Sequence, residues 1–506
     1  MRTKNTLKNI IMNFFNNILL YGLRFVSRIV FTKTLASVYL GVNGLLSNVL
    51  GILALTELGL GTAIGYSLYS PLAKGEKEKV KSLMYFYKKA YQIIALIVFV
   101  LGIVILPFLP FLIKDTTGIN NLSTIYIIYL LNMAISYLFS YKRTLIQSDQ
   151  KKYKIMPILM IFSIITSLAQ IIVLVLFKNY ILYLIIQIIT TILENIFVNR
   201  FINKEYPYLL EKDVNKLEKS ELSIIKNNIK ALLLHKIGSY TVSSTDNLVI
   251  SKIVGIIQVG IYSNYVLIIN MINSFIDILT SNVISSFGNL IVAENEEKRL
   301  KVFKEMNFIC FILYGISAIC FIHLFNPFID LAFGSFYVFS KEIVYIIVIN
   351  NYIMGMINVL STVQSASGLY QNDKYAPIIQ SILNLIISIY LALKIGIIGV
   401  FIGTVVSSLI PFFIKPYIIY HHVFKEKIIC YFKDYLKQII ILIISFIISN
   451  VIINLFPIKY IILDLLFRLL ISVSIPSLII FLFYRKDEVF INIISRIKGL
   501  IPKKVR

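Results

Sequence analysis

The sequence predicts an all-α integral membrane protein of about fourteen transmembrane helices, arranged as two pseudo-symmetric six-helix bundles followed by two C-terminal helices. Composition is the first reason. Of 506 residues, 58% are apolar and only 15% charged, whereas soluble domains run near half apolar and about a quarter charged. The second is that the apolar residues fall in runs of the ~20 residues needed to cross a bilayer. The third is charge placement. The 49 Lys and Arg outnumber 25 Asp and Glu, and they gather between the runs, as in loops facing a cytoplasm. The net charge of +24 therefore gives little support to nucleic-acid binding.

In chain order, the run at 10–32 lacks a small-residue cleavage pattern after a short core and reads as a retained span, not a signal peptide. Spans at 42–69, 90–113, 123–141, 156–177 and 180–199 follow, nearly all continuous Ile/Leu/Val/Phe/Tyr stretches closed by Lys-rich or Pro/Gly-bearing segments. A charged segment at 200–230, predicted to be partly helical, divides the chain. After it come 231–251, 260–289, 306–325, 343–369, 377–393 and 396–420, and finally 438–456 and 460–484. The domains expected are an N-terminal six-helix bundle with its cytoplasmic linker (1–225), a C-terminal six-helix bundle (226–430), and two extra helices with a basic cytoplasmic tail (431–506).

Loop charges orient these spans. With alternate loops assigned to opposite sides, each loop on one side holds a single basic residue: Lys33, Lys114, Lys178, Lys252, Lys341, Lys394 and Lys459. Nearly all the others lie opposite, so both termini are expected in the cytoplasm. Cys310, Cys320 and Cys430 lie in or beside apolar runs without metal-ligand spacing, so neither a disulfide framework nor a metal site is expected, and no cofactor. His323, Asp330 and His421-His422 sit at span ends without a ligand pattern.

The two halves look duplicated. SRIVFTKTLASVYLGV from Ser27 lies over DNLVISKIVGIIQVGI from Asp246 without a gap. Val30 then meets Val249, Thr32 meets Ser251, Lys33 meets Lys252, and Gly41 meets Gly260. An even number of spans separates the equivalents, so the repeats enter the membrane in the same direction. Parallel repeats are related by an axis along the membrane normal, with a cleft expected between them.

Polar residues inside spans mark candidate sites, because a charge at mid-bilayer costs about 2.5–3.5 kcal/mol on insertion scales. Asn13, Asn17, Tyr21, Arg24 and Arg28 recur every three or four residues in the first span, forming one wet stripe with two guanidiniums a turn apart. Stacked arginines repel each other unless an anion or acid lies between them, and phosphate suits their planar forks. The alternative is that both pair with acids on neighbouring helices or snorkel to the interface. In the seventh span His235, Ser239, Ser243 and Asp246 share a face, with Lys236, Tyr240 and Asn247 beside it. Asp246 is either a proton or cation site or the counter-ion of Arg24 or Arg28. His235 and Lys236 read as interfacial anchors. The second span presents Asn43, Ser47, Glu57, Gly61 and Gly65, and the eighth Asn270, Ser274, Asp277, Ser281 and Ser285. Glu57 and Asp277 either line a cavity or bond a neighbouring helix. The glycines from Gly59 to Gly65 read as packing or a bend and not as a phosphate loop. Asp464 and Arg468, four apart, are expected to pair with each other.

Several segments resemble a known family. These are Tyr39-Leu-Gly-Val-Asn-Gly-Leu-Leu-Ser-Asn48, Glu57-Leu-Gly-Leu-Gly61, Tyr66-Ser-Leu-Tyr69-Ser-Pro-Leu-Ala73, Asp246-Asn-Leu-Val-Ile-Ser251, Val259-Gly-Ile-Tyr-Ser-Asn-Tyr265 and Gln371-Asn-Asp-Lys-Tyr375. They resemble the Wzx-type polysaccharide repeat-unit flippases, a branch of the multidrug/oligosaccharidyl-lipid/polysaccharide exporter superfamily. The resemblance covers most of residues 10–430. It implies a non-enzymatic carrier that moves an undecaprenyl-pyrophosphate-linked oligosaccharide across a bacterial plasma membrane by alternating access, with first-span basic residues matching Arg24 and Arg28. Related lipid II flippases use arginines on several helices. Here Glu57 and Asp277 occupy the second and eighth spans, so those further sites are not carried over.

The site expected from residues and resemblance together is Arg24, Arg28, Asn17, Tyr21, Asn43, Tyr240, Ser243 and Asn270 for substrate. Asp246, Asp277 and Glu57 are candidates for coupling to H⁺ or Na⁺. Expected partners are the lipid-linked oligosaccharide, membrane lipids and a polysaccharide polymerase. The alternatives are a cation-coupled multidrug exporter, whose cargo would suit acids better than paired arginines, and a membrane polysaccharide polymerase or ligase. The latter would need an outer catalytic loop, and the outer loops here are short and nearly free of His, Arg or paired acids.

Overall fold

The computed structural model describes residues 2–57, 60–115, 118–211, 245–367 and 372–500, with isolated positions between 213 and 225 and at 369. All regular structure among the described residues is helical. Eleven helices among them are long and apolar enough to cross a membrane. The protein is thus a multi-pass integral membrane protein. The chain divides into two compact units, Met1–Ser263 and Asn264–Arg506.

The first unit contains α1 (Arg2–Thr34), α2 (Ser37–Leu53), α3 (Leu60–Lys74), α4 (Lys77–Ile105), α5 (Leu122–Ser148), α6 (Met156–Phe177) and α7 (Tyr180–Glu205). Within it α1 packs on α6, α4 on α5, and α7 on both α5 and α6. Local chemistry sets the ends. The Asn179 side chain accepts the Leu182 N–H at 3.1 Å to cap α7. Proline occupies the first turn of α6, where a missing N–H costs nothing. On α4, Ile93, Leu96 and Val100 are exposed, an apolar face that meets lipid in a membrane helix.

The span expected at 42–69 is not one helix. α2 stops at Leu53, a 3₁₀ turn covers Ala54–Glu57, and helix resumes at Leu60. Thr56, Gly59 and Gly61 are poor helix formers, yet the segment stays apolar through the break, so a hydropathy window registers no interruption. Opposite charges tie the loop-side ends of this unit. Arg143 Nη2 donates to Glu194 Oε1 and to Asn195 Oδ1, both at 2.7 Å, joining α5 to α7. Lys154 pairs with Glu205. Tyr206 donates to Asp149 Oδ2 at 2.6 Å, and burial, then Asp149 itself, raise that phenol above its ordinary range, keeping it a donor. Asn9 spans to the α5–α6 turn, donating to the Gln150 carbonyl at 2.9 Å and accepting from the Tyr153 N–H at 2.8 Å.

The second unit holds most of α8 (Ile256–Ala293), then α9 (Glu296–Phe333), α10 (Lys341–Ala366), α11 (Ala376–Ile395), α12 (Ile397–Ile419), α13 (Ile429–Leu455) and α14 (Ile461–Tyr484). A further helix, α15 (Glu488–Leu500), occupies the segment expected to be a basic tail, and Glu488 pairs with Lys301 of α9. Asn295 caps α9 through the Lys298 N–H at 3.0 Å.

The repeat-equivalent glycines touch. A Cβ on Gly41 would lie 2.0 Å from the Ile256 carbonyl oxygen, and one on Gly260 would lie 2.9 Å from the Gly41 nitrogen. α2 and the start of α8 therefore cross backbone to backbone, which only small residues allow. Because backbone cannot yield as a side chain does, Gly41→Ala is expected to cost at least the ~1–3 kcal/mol of overpacking. It should lower the melting temperature of the purified protein clearly more than Gly22→Ala, whose Cβ would meet nothing within 4 Å. Equal melting temperatures for the two variants would refute this close crossing.

Candidate cationic site in the first unit

α1 has three faces. Asn16, Ser27 and Phe31 are buried and lie on one strip at about 100° per residue. Ile11, Phe15, Ile18 and Val26 are exposed and cluster on a second, apolar arc. Asn13, Asn17, Tyr21, Arg24 and Arg28 form the third, with Arg24 exposed and the other four half-buried. The polar residues thus stand on an accessible arc separate from the apolar one. In a bilayer that arc requires water or protein polar groups, because lipid would not tolerate it.

The Arg24 guanidinium carbon stands 5.7 Å from the Tyr21 ring centroid, a cation–π contact within one turn. Arg28 Nη1 donates to Ser263 Oγ at 2.9 Å, and Ser263 donates to the Gly260 carbonyl at 2.7 Å. Arg28 is thereby fixed to the same turn of α8 that Gly41 approaches. Its charge acts on Tyr129, Tyr180 and Tyr183. The Tyr129 and Tyr180 hydroxyls lie 3.0 Å apart, and Phe31 and Tyr39 pack their rings on Tyr180 at 5.5 and 5.1 Å. This aromatic shell comes from α5, α7 and the α1–α2 corner. Sequence reasoning missed it. The available signal was 32 Tyr with no Trp, but nothing local shows which tyrosines converge.

Asp246 is buried at 7% exposure in the helical stretch 245–249, followed by a π-helical turn at Ile250–Val254. Gly255, at φ +146°, makes the reversal into α8 that a side chain would resist. The Asp246 charge acts on Tyr262, the neighbour of Ser263. Arg28 and Asp246 thus bear on adjacent residues of one turn. Glu57, at the α2–α3 break, accepts a 2.8 Å hydrogen bond from the Tyr91 hydroxyl, and Tyr91 stacks on Tyr137. A Cβ on Gly61 would come within 2.8 Å of Glu57 Oε1, so the break and the bond share one space. Asn43 is half-buried, and its carbonyl accepts from Ser47 at 2.7 Å.

In the second unit, Asn270 and Asp277 are exposed on α8 with Ser274 between them, its hydroxyl donating to the Asn270 carbonyl at 2.7 Å. Asn273 Nδ2 donates to Asn351 Oδ1 at 2.8 Å, holding α8 to α10. The structure therefore brings Tyr21, Arg24, Arg28 and Asp246 to bear on one region of the first unit and leaves Glu57 bonded elsewhere in it. His235, Lys236, Ser239, Tyr240 and Ser243 lie outside the described residues. No group of three or more His, Cys, Asp or Glu able to hold a metal exists among the described residues.

A family model described as polysaccharide biosynthesis protein matches residues 6–285. Among solved structures, the chain is similar to the lipid II flippase MurJ in an inward closed conformation, at 15% identity and a TM-score of 0.63, covering 95% of this chain and 99% of that one. It is also similar to an inward-facing multidrug resistance MATE family transporter of the MOP superfamily (16% identity, TM-score 0.59, 79% and 95% covered). A third is a MATE transporter from Vibrio cholerae (13% identity, TM-score 0.58, 84% and 99% covered). Identities this low speak for a shared fold. No curated protein matches the chain in sequence.

The Glu57 contact predicts a stability effect. Tyr91→Phe keeps the ring and deletes only the donor, so it should cost about 1.5–3 kcal/mol, the range for a hydrogen bond to a charged group. A thermal melt of the purified variant reads this out, and an unchanged midpoint would show that Glu57 does not depend on Tyr91.

Proposed function

The chain belongs to the polysaccharide biosynthesis protein family, and from that premise we propose that it is a flippase for undecaprenyl-pyrophosphate-linked oligosaccharide units. It is a flippase-like membrane transporter and not an enzyme. The proposed cargo passes from the inner to the outer leaflet of a bacterial plasma membrane by alternating access, with both protein termini cytoplasmic. The observation that carries this reading is the polar arc of α1, where Arg24 and Arg28 stand a turn apart, about 6 Å along the axis.

The pair matches a diphosphate. Each guanidinium offers a planar fork of donors that cannot be deprotonated at physiological pH. Arg24 is accessible to cargo, while Arg28 is braced on Ser263 beside a phenolic shell. Asn17 and Tyr21, on the same arc, offer hydrogen bonds to sugar hydroxyls, as do Asn43 and Asn270 on their own helices and, from the sequence pattern, Tyr240 and Ser243. The prenyl chain has no need of a polar path and stays in lipid. A polysaccharide polymerase would consume the product. The MATE-like folds lend the multidrug-exporter alternative some weight, but paired arginines repel the cationic cargo such exporters carry.

Purified protein in vesicles should move a fluorescent prenyl-pyrophosphate oligosaccharide between leaflets without elongating it. The Arg24→Ala/Arg28→Ala double variant should slow that movement at least tenfold while still inserting, the equivalent of about 1.4 kcal/mol or more. A correctly inserted double variant that transports at the parental rate would refute the assignment.

Coupling is the second part of the proposal. Asp246, Asp277 and Glu57 are the acids through which H⁺ or Na⁺ would drive transport, and Asp246→Asn combined with Asp277→Asn and Glu57→Gln should abolish any dependence on an imposed pH or sodium gradient. Gradient dependence that survives the triple change would exclude these acids.

A further inference from the structure

The second unit contains a polar chamber of about 890 Å³ that the arginine site does not use. It lies where the C-terminal half of α9 and the start of α10 meet the end of α13 and the start of α14, an end of the unit that the loop charges assign to the outer side. Its volume falls in the ordinary range of small-molecule sites. We propose that this chamber binds a saccharide, holding one or more sugar rings through hydrogen bonds in a site separate from Arg24 and Arg28.

The chemistry of the wall selects that ligand. Asp464 and Arg468 line the chamber as a pair, the Arg468 Nε donating to Asp464 Oδ2 at 2.7 Å. Asp330, Asn450 and Asn454 line it as well. Carboxylates and amide oxygens accept, while amide nitrogens and a guanidinium donate, and all face one space. A sugar hydroxyl is both donor and acceptor, so a ring carrying several can satisfy both kinds at once. A phosphate would meet two carboxylates, Asp330 and Asp464, against Lys341 and an already compensated guanidinium, so the wall offers it no net positive charge. A metal ion would find no group of three His, Cys, Asp or Glu among the described residues.

A second observation points to a ligand independently. His323 lines the chamber at only 5% exposure. Its Nδ1 lies 2.9 Å from Ser472 Oγ, and its ring stacks on Phe446. The opposite nitrogen, Nε2, is buried and makes no hydrogen bond among the described residues. A buried polar atom without a partner costs about 1–3 kcal/mol, a cost that a ligand hydroxyl displacing the groups over Nε2 would remove.

Saturation-transfer NMR on the full-length protein in lipid nanodiscs tests this with free glucose, galactose, N-acetylglucosamine, N-acetylgalactosamine, rhamnose and glucuronic acid as probes. At least one sugar should give a saturable signal. Its affinity should fall at least tenfold in Asp330→Ala and in Asn454→Leu, each checked for parental elution and melting temperature. If Asn454→Leu misfolds, the exposed position Asp330 carries the test alone. The proposal is overturned if no probe gives a saturable signal with folded parent protein, if folded variants bind as the parent does, or if inorganic phosphate displaces the sugar. Because no lipid-linked cargo is present, a loss of transport in vesicles together with intact sugar binding would count against the flippase reading and leave this chamber standing.

Discussion

A guanidinium cannot shed its charge at physiological pH, and it cannot rest in hydrocarbon. Most of what distinguishes the first unit follows from that constraint. α1 carries an exposed apolar arc, and it must also place Arg24 and Arg28 somewhere polar, so those residues occupy a different arc. The buried strip between the two is narrow and itself polar at Asn16 and Ser27. A helix built in this way gains little from its own hydrophobicity. Its position depends on specific contacts: α6 along its length, Asn9 to the α5–α6 turn, and Arg28 to Ser263.

The Ser263 contact in turn depends on close backbone approach. Arg28 reaches α8 because α2 crosses the beginning of that helix at Gly41 and Gly260 with no side chain between them. The residues before the crossing are irregular: a π-helical turn, then Gly255 in a conformation unfavourable to side chains. Wide turns of this kind are rare and persist where packing over-determines them. Here the packing comes from glycine contact on one side and an aromatic shell around Tyr180 on the other.

Much of this was legible in the sequence, and the illegible parts share a cause. Apolar runs and the lysine-poor loops between them mark the helices because bilayer thickness and insertion charge act on local sequence. Arg24, Arg28 and their neighbours were legible because helical periodicity alone puts them on one arc. The pairing of Asp464 with Arg468 was legible for the same reason. The break after Leu53 was not, since Ala54–Glu57 and the glycines beyond keep the composition of a span while losing its geometry. The tyrosines around Arg28 were not either. Tyr129 and Tyr180 lie 51 positions apart, and only the packing of α5 on α7 makes them neighbours. The helix α15 was hidden within a basic segment whose charge dominated its reading.

The three acids also separate once their surroundings are known. Glu57 is engaged by Tyr91 at a helix break, so its charge supports local structure. Asp277 is exposed on α8, and its charge acts on the buried Cys310 and Tyr314 of α9. Asp246 differs from both: it is buried, and its charge falls on Tyr262, next to the serine that braces Arg28. Neutralising a buried carboxylate changes the local field more than neutralising an exposed one, because little solvent responds. A change at Asp246 therefore falls on the turn that positions Arg28, whereas a change at Asp277 falls on Cys310 and Tyr314 of α9. Of the three, Asp246 is the acid whose charge bears on the turn that braces Arg28.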